Sequence, residues 1–312
     1  MLAAQLLFVL TASLAAAAAQ APPPPPATPP ASGYVPERVF DTRSGTFSDF
    51  ELMLADLARA DVVLIGEQHD DPNTHRLETA VLEGLLRRRA AVVVSLEMFE
   101  RDVQPALDGY LGGRQSEEEF LKATRPWPRY ATDYRSLIEL AKGQSWPVIA
   151  ANVPRRYASE IARTGLGPLS ALAANERAFI AADLQCPKDA YFERFAASMG
   201  EHPASAGAPT PDAAAQKAIV ERYYQSQCAK DETMAESIAA SFAGRGSATG
   251  PIVHVTGAFH SDFGAGTAER TRRRLAGKTV TIVSILPVSD LDVLAPGGDD
   301  LKRADYLVYT VK

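Results

Sequence analysis

The stretch Val62-Val63-Leu64-Ile65-Gly66-Glu67-Gln68-His69 decides how the rest of the chain is read. Its apolar run is too short for a buried helix, is mostly β-branched and stops at a glycine. That is the signature of a strand covered on both faces, as in a parallel sheet. Working outward, the same signal returns at Val92–Leu96, Val148–Ala151, Ile252–Thr256 and Val280–Leu286. Helical periodicity fills the intervals. From Thr74 to Arg88 it puts Leu77, Val81 and Leu85 on one face. Ser48-x-x-Glu51 and Ser116-x-x-Glu119 read as capping boxes, the first opening a helix to about Ala60. Further helices are expected at Asp133–Lys142 and Gly264–Leu275, and an edge strand at Tyr306–Val311. Strands alternating with helices predict an α/β fold, a mainly parallel central sheet flanked by helices. From about residue 155 to 245 no strand signal occurs. This reads as a helical insertion holding a long helix from Ala213 and a surface loop at Glu201–Pro211.

The chain has 312 residues, 46% hydrophobic and 22% charged, enough for one large domain with a real core. A net charge of −6 argues against nucleic acid as a partner, since phosphate binding needs a basic face. The basic runs Arg87–Arg89 and Arg272–Arg274 read as solvated helix C-termini. Residues 1–21 read as a signal peptide: an apolar stretch from Leu6 to Ala19, then small residues, too short to span a membrane. The usual positive n-region is missing, because the first Lys or Arg is Arg38. Residues 22–33 form a Pro/Ala-rich tether, and the folded part is expected at 34–312. No Cys lies near the cleavage region, so no lipid anchor is expected and the mature protein reads as periplasmic or secreted. In such a compartment Cys186 and Cys228 either form a disulfide or remain two buried thiols.

In open α/β sheets ligands bind beyond the carboxyl ends of the strands. Gly66-Glu67-Gln68-His69 follows one strand and Gly257-Ala258-Phe259-His260 another, both G-x-x-H. Glu97 follows the strand Val92–Leu96 and Asn152 follows Val148–Ala151. The glycines are expected to let the backbone turn sharply, so that both histidines land on one rim. Two imidazoles and a carboxylate there suit a metal ion or haem. Alternatively, each histidine caps a helix or hydrogen-bonds the backbone. His75 reads as a group supporting His69, His254 as a core residue, and His202 as a loop residue without a role. Asp231 is a candidate for the rim, whereas Glu232 reads as an exposed helix acid. Met98, Phe99, Phe259 and Phe263 could form a flat apolar slot. The chain has no H-E-x-x-H, Walker loop, G-x-G-x-x-G or G-x-S-x-G, which sets aside zincin, nucleotide-binding and serine-hydrolase readings.

Taken together, Val62–His75, Leu96–Arg101, Trp127, Tyr134, Ala151–Arg155, Gln225, Asp231–Ala235 and Gly257–His260 resemble the motifs of the ChaN, or haem-binding-uptake, family of the Tiki-like superfamily. The resemblance implies haem binding linked to iron acquisition, in a homodimer enclosing paired haems with a Tyr on the iron. It does not fix that Tyr, and Tyr134 and Tyr130 are the candidates, with His69, His260 and Asn152 around the cofactor. The wider superfamily, with Tiki proteases and erythromycin esterase-like enzymes, implies a second expectation. In that reading His69, His260 and Glu97 hold a divalent metal, and Glu67 or Glu97 activates water for hydrolysis.

Overall fold

A computed structural model describes residues 34–88, 91–200, 212–242 and 250–312. The expected signal peptide, the expected Pro/Ala tether and the segment with His202 lie outside these residues. The strands are β1 (Glu37–Asp41), β2 (Thr46–Ser48), β3 (Val62–Glu67), β4 (Val93–Glu100), β5 (Val148–Asn152), β6 (Ile252–Gly257), β7 (Val280–Val288) and β8 (Tyr306–Val311). The helices are α1 (Phe50–Leu57), α2 (Pro72–Leu86), α3 (Gln104–Leu111), α4 (Glu117–Thr124), α5 (Arg135–Gly143), α6 (Arg155–Thr164), α7 (Ala174–Arg177), α8 (Ala190–Gly200), α9 (Ala213–Ala240), α10 (Thr267–Arg274) and α11 (Asp300–Arg303).

All eight strands share one sheet in the order β2-β1-β8-β7-β3-β6-β4-β5. From β8 to β5 every pairing is parallel, and β1 adds an antiparallel edge with β2. The α/β expectation therefore holds. Tyr306–Val311 is a strand, but it lies inside the sheet between β1 and β7. The strands Glu37–Asp41 and Thr46–Ser48 that cover it are short and mixed in polarity, and carry no clear alternation. The Ser48 capping box does not form: Ser48 ends β2, and Asp49 caps α1 by accepting from the Glu51 amide. Ser116 and Glu119 do cap each other at the start of α4.

β3 is buried at every position because both faces are covered. One face carries α1, α2 and α5, whose Leu54, Leu82 and Ile138 join Val63 and Ile65 in the larger core. The other carries α9 and α10, whose Ile238 and Ala268 meet Leu64 and Ile252. Between β5 and β6 the described residues hold helices and no strand. The longest, α9, crosses the sheet and meets β5, α6 and α10. Cys186, on the approach to α8, is bonded to Cys228 on α9.

Candidate functional site

The chain order places β6 between β3 and β4, although those two are consecutive in sequence. Gly66 is paired with Thr256 and Glu67 with Gly257, so the two G-x-x-H motifs leave adjacent strands staggered by one residue. Glu97 comes from the next strand. β4 does not stop at Leu96; it continues to Glu100 with a register irregularity, and Glu97 lies inside it. Glu67, His69, Glu97 and His260 consequently line one cavity of about 680 Å³.

Neither motif glycine adopts the left-handed backbone expected for a sharp turn. Each is needed for close approach. A Cβ on Gly257 would sit 2.8 Å from His69 Nε2, and one on Gly66 would sit 3.0 Å from Ala258 Cα.

His69 and Glu67 are a bonded pair, Nδ1 donating to Oε1 at 2.5 Å. Trp127 meets the His69 ring edge-on. Burial opposes a charge on His69, but the Glu67 hydrogen bond and the nearby Glu97 raise its pKa above the usual histidine value. His260 is held on both sides. Its Nδ1 donates to Asp231 Oδ1 at 2.7 Å, and its Nε2 lies 3.4 Å from Glu97 Oε1. Burial again disfavours the imidazolium, yet the two carboxylates outweigh it and push the pKa up to about 10. Glu97 Oε2 accepts from the Gly257 amide at 2.8 Å and the Thr256 hydroxyl at 2.7 Å. Its burial is outweighed by the charge of His260, which holds the carboxyl well below the usual range. Asp231 accepts further hydrogen bonds from Thr267 and Tyr191.

Other expected residues stand elsewhere. Tyr134 is buried and its hydroxyl donates to Glu67 Oε1 at 2.8 Å. Tyr130 packs against Phe99 and Phe120 in the core. Neither tyrosine lines the cavity. Asn152 donates to the Glu97 carbonyl and lines a smaller recess of about 260 Å³, which shares Glu97, Trp127 and Lys230 with the first. Met98 and Phe99 are core residues, because their strand is covered on both faces, while Phe259 and Phe263 do line the cavity. His75 reaches the His69 carbonyl through Nε2 at 3.2 Å. His254 is buried and bonded to Ser95. Glu232 is fully buried, not exposed: Arg270, Arg273 and Arg274 surround its carboxylate, so Arg273 and Arg274 are not a solvated helix end. The sequence reading missed Arg194, Gln227 and Lys230, which line the cavity from α8 and α9. A polar helix residue carries no local mark of facing a site.

The comparisons with known proteins meet this geometry. Residues 53–271 match the family described as "Haem-binding uptake, Tiki superfamily, ChaN". The chain belongs to the ChaN haem-binding family. Among solved structures, "Cofacial heme binding to ChaN of Campylobacter jejuni" is similar at 17% identity and a TM-score of 0.65, covering 88% of this chain and 97% of that one. At that identity the likeness shows the fold. A mutant erythromycin esterase, EreC in its open conformation, is a looser neighbour at 12% identity and a TM-score of 0.44, covering 88% of this chain and 83% of that one. A MARTX toxin effector domain from Vibrio vulnificus CMCP6 has 14% identity and a TM-score of 0.41, covering 87% of this chain and 39% of that one. No curated protein matches. Among the described residues no helix is long and apolar enough to cross a membrane.

Proposed function

We propose that this ChaN-family protein is an exported carrier of haem that feeds iron uptake, with haem seated at the cavity bounded by His69 and His260. The observation that carries this reading is the chemistry of the cavity wall. Phe195, Met199, Phe259, Phe263 and Trp127 offer apolar faces to a porphyrin. Arg194 and Lys230 line the same wall, and neither has an acidic partner at ion-pair distance among the described residues. Two such cations suit the two propionates of haem. For the iron ligand, Tyr134 is unsuitable because its phenol is buried on Glu67, and Tyr130 because it is buried in the core. Tyr223 on α9 lines the adjoining recess and is 47% exposed. A phenol is a known axial haem ligand, and we assign that role to Tyr223. The Cys186–Cys228 bond suits an oxidising compartment. We also expect a homodimer, in which two such cavities would face each other, in keeping with the cofacial haem binding of ChaN from Campylobacter jejuni.

Titration of the mature chain with haemin tests the reading. A stoichiometric Soret shift is expected, with altered ligand-to-iron bands in Tyr223→Phe and unchanged ones in Tyr134→Phe. A haemin spectrum indistinguishable from that of free haemin would refute it.

One observation favours a second reading as a hydrolase. Glu97, His260 and Asp231 form a carboxylate–imidazole–carboxylate array with one face on the cavity. An ion there would be held by His260 Nε2 and Glu97, with Asp231 orienting the ring through Nδ1, and would displace the proton that the two carboxylates favour on the imidazole. Without an ion, the same array would serve acid–base work by His260, with Glu67 orienting His69. Hydrolysis of a model ester or peptide that His260→Ala abolishes would support this reading; equal rates in wild type and variant would dismiss it.

A further inference from the structure

We propose that Glu67, His75 and Glu78 form a buried divalent-cation site behind the cavity wall, separate from the rim histidines His69 and His260. The proposal is independent of haem binding. Glu67 ends β3, and the first turns of α2 place His75 and Glu78 three residues apart on one helix face. All three side chains are buried.

The spacing is that of ligands. His75 Nδ1 lies 3.3 Å from Glu78 Oε2 and 3.7 Å from Glu67 Oε2. Donors bound at about 2.1 Å to a tetrahedral ion stand about 3.4 Å apart. The ring is also oriented for the task. Its Nε2 is 3.2 Å from the His69 carbonyl and 3.4 Å from Asp133 Oδ2. With its proton on Nε2, donated to those acceptors, the ring would turn toward the two glutamates the Nδ1 lone pair, which would replace its 3.3 Å hydrogen bond to Glu78 by a bond to the ion. Histidines on a metal are usually held this way, the second nitrogen donating to a carbonyl or carboxylate.

An independent sign is that buried oxygens are left over. Glu67 Oε1 takes hydrogen bonds from His69 and Tyr134, but Glu67 Oε2 and Glu78 Oε1 have no hydrogen-bond partner among the described residues. Such orphaned acceptors are costly in a protein interior. Nearby, Asp133 is matched by Arg129 at 2.6 Å, whereas no Lys or Arg among the described residues pairs with Glu67 or Glu78. One nitrogen and carboxylate oxygens select a borderline ion such as Zn²⁺, Co²⁺, Fe²⁺ or Mn²⁺. Glu67 would then bridge the ion through Oε2 and His69 through Oε1, so that loading stiffens the cavity wall.

Cobalt is the probe, titrated into the metal-free mature chain and followed by its visible d–d bands. One equivalent is expected to bind. Glu78→Gln keeps the side-chain shape and is expected to weaken cobalt at least tenfold. His260→Ala should leave the cobalt spectrum unchanged. X-ray absorption of the wild-type cobalt form should count one imidazole, and this needs no variant to fold. Absence of bound cobalt, two imidazoles on the ion, or affinity that falls with His260→Ala and not with Glu78→Gln would overturn the proposal.

Discussion

Alanine at the two motif glycines should separate stability from function, because the obstacles to the new methyl differ. At Gly257 the Cβ would meet His69 Nε2 at 2.8 Å and Cε1 at 2.9 Å. Both are at the tip of a side chain that is 47% exposed and free to swing into the cavity. The backbone can stay in place. We expect Gly257→Ala to cost at most about 1 kcal/mol of stability, the low end for an inserted methyl. The displaced His69 breaks its 2.5 Å contact with Glu67 and occupies ligand space. Haemin affinity should fall by tenfold or more. At Gly66 the Cβ would meet Ser261 Oγ at 2.7 Å and Ala258 Cα at 3.0 Å. Ala258 belongs to the turn carrying His260, and backbone yields poorly. Gly66→Ala should therefore cost about 2–3 kcal/mol. Urea denaturation gives the stabilities and haemin titration the affinities. Equal stability losses in the two variants, or wild-type affinity in Gly257→Ala, would refute the argument from close approach.

His260 should stay an imidazolium across neutral pH, since its pKa is pushed up to about 10; nitrogen NMR of the ring should show no titration between pH 6 and 8. Because this folded value lies above the unfolded one near 6.5, its stabilising contribution is complete below about pH 6.5 and is lost as pH rises toward 10; Asp231→Asn should bring the titration down. Reducing Cys186–Cys228, a separation of 42 residues, should lower stability by up to about 4 kcal/mol, read by denaturation with and without a phosphine reductant. Glu232→Gln should cost about 3 kcal/mol by leaving Arg270 buried without its carboxylate, which a thermal melt at constant pH would show.

The family resemblance and the α/β class were legible from short local signals. Short apolar runs rich in β-branched residues, two of them ending in glycine, recur between amphipathic helices and fix strands buried on two faces whatever their order. The edge was less legible: β1 and β2 are short and mixed, so Tyr306–Val311 read as the border it is not. His69, Glu97 and His260 could be listed from strand ends, because strand ends in a parallel sheet share a rim. Their meeting depended on strand order, with β6 inserted between β3 and β4, and no local pattern encodes that. Burial decided the roles. Asp231 and Glu232 are neighbours on α9, yet the helix points one at His260 and the other into three arginines. Tyr134, an open candidate for iron in the sequence, is turned by the π-helical stretch Tyr130–Tyr134 onto Glu67. Sequence by itself determined which residues were chemically able to act, because side-chain chemistry and the periods of helix and strand are local. Tertiary structure alone decided which of them act together, because ligand distances and desolvation depend on what the rest of the chain packs around each group.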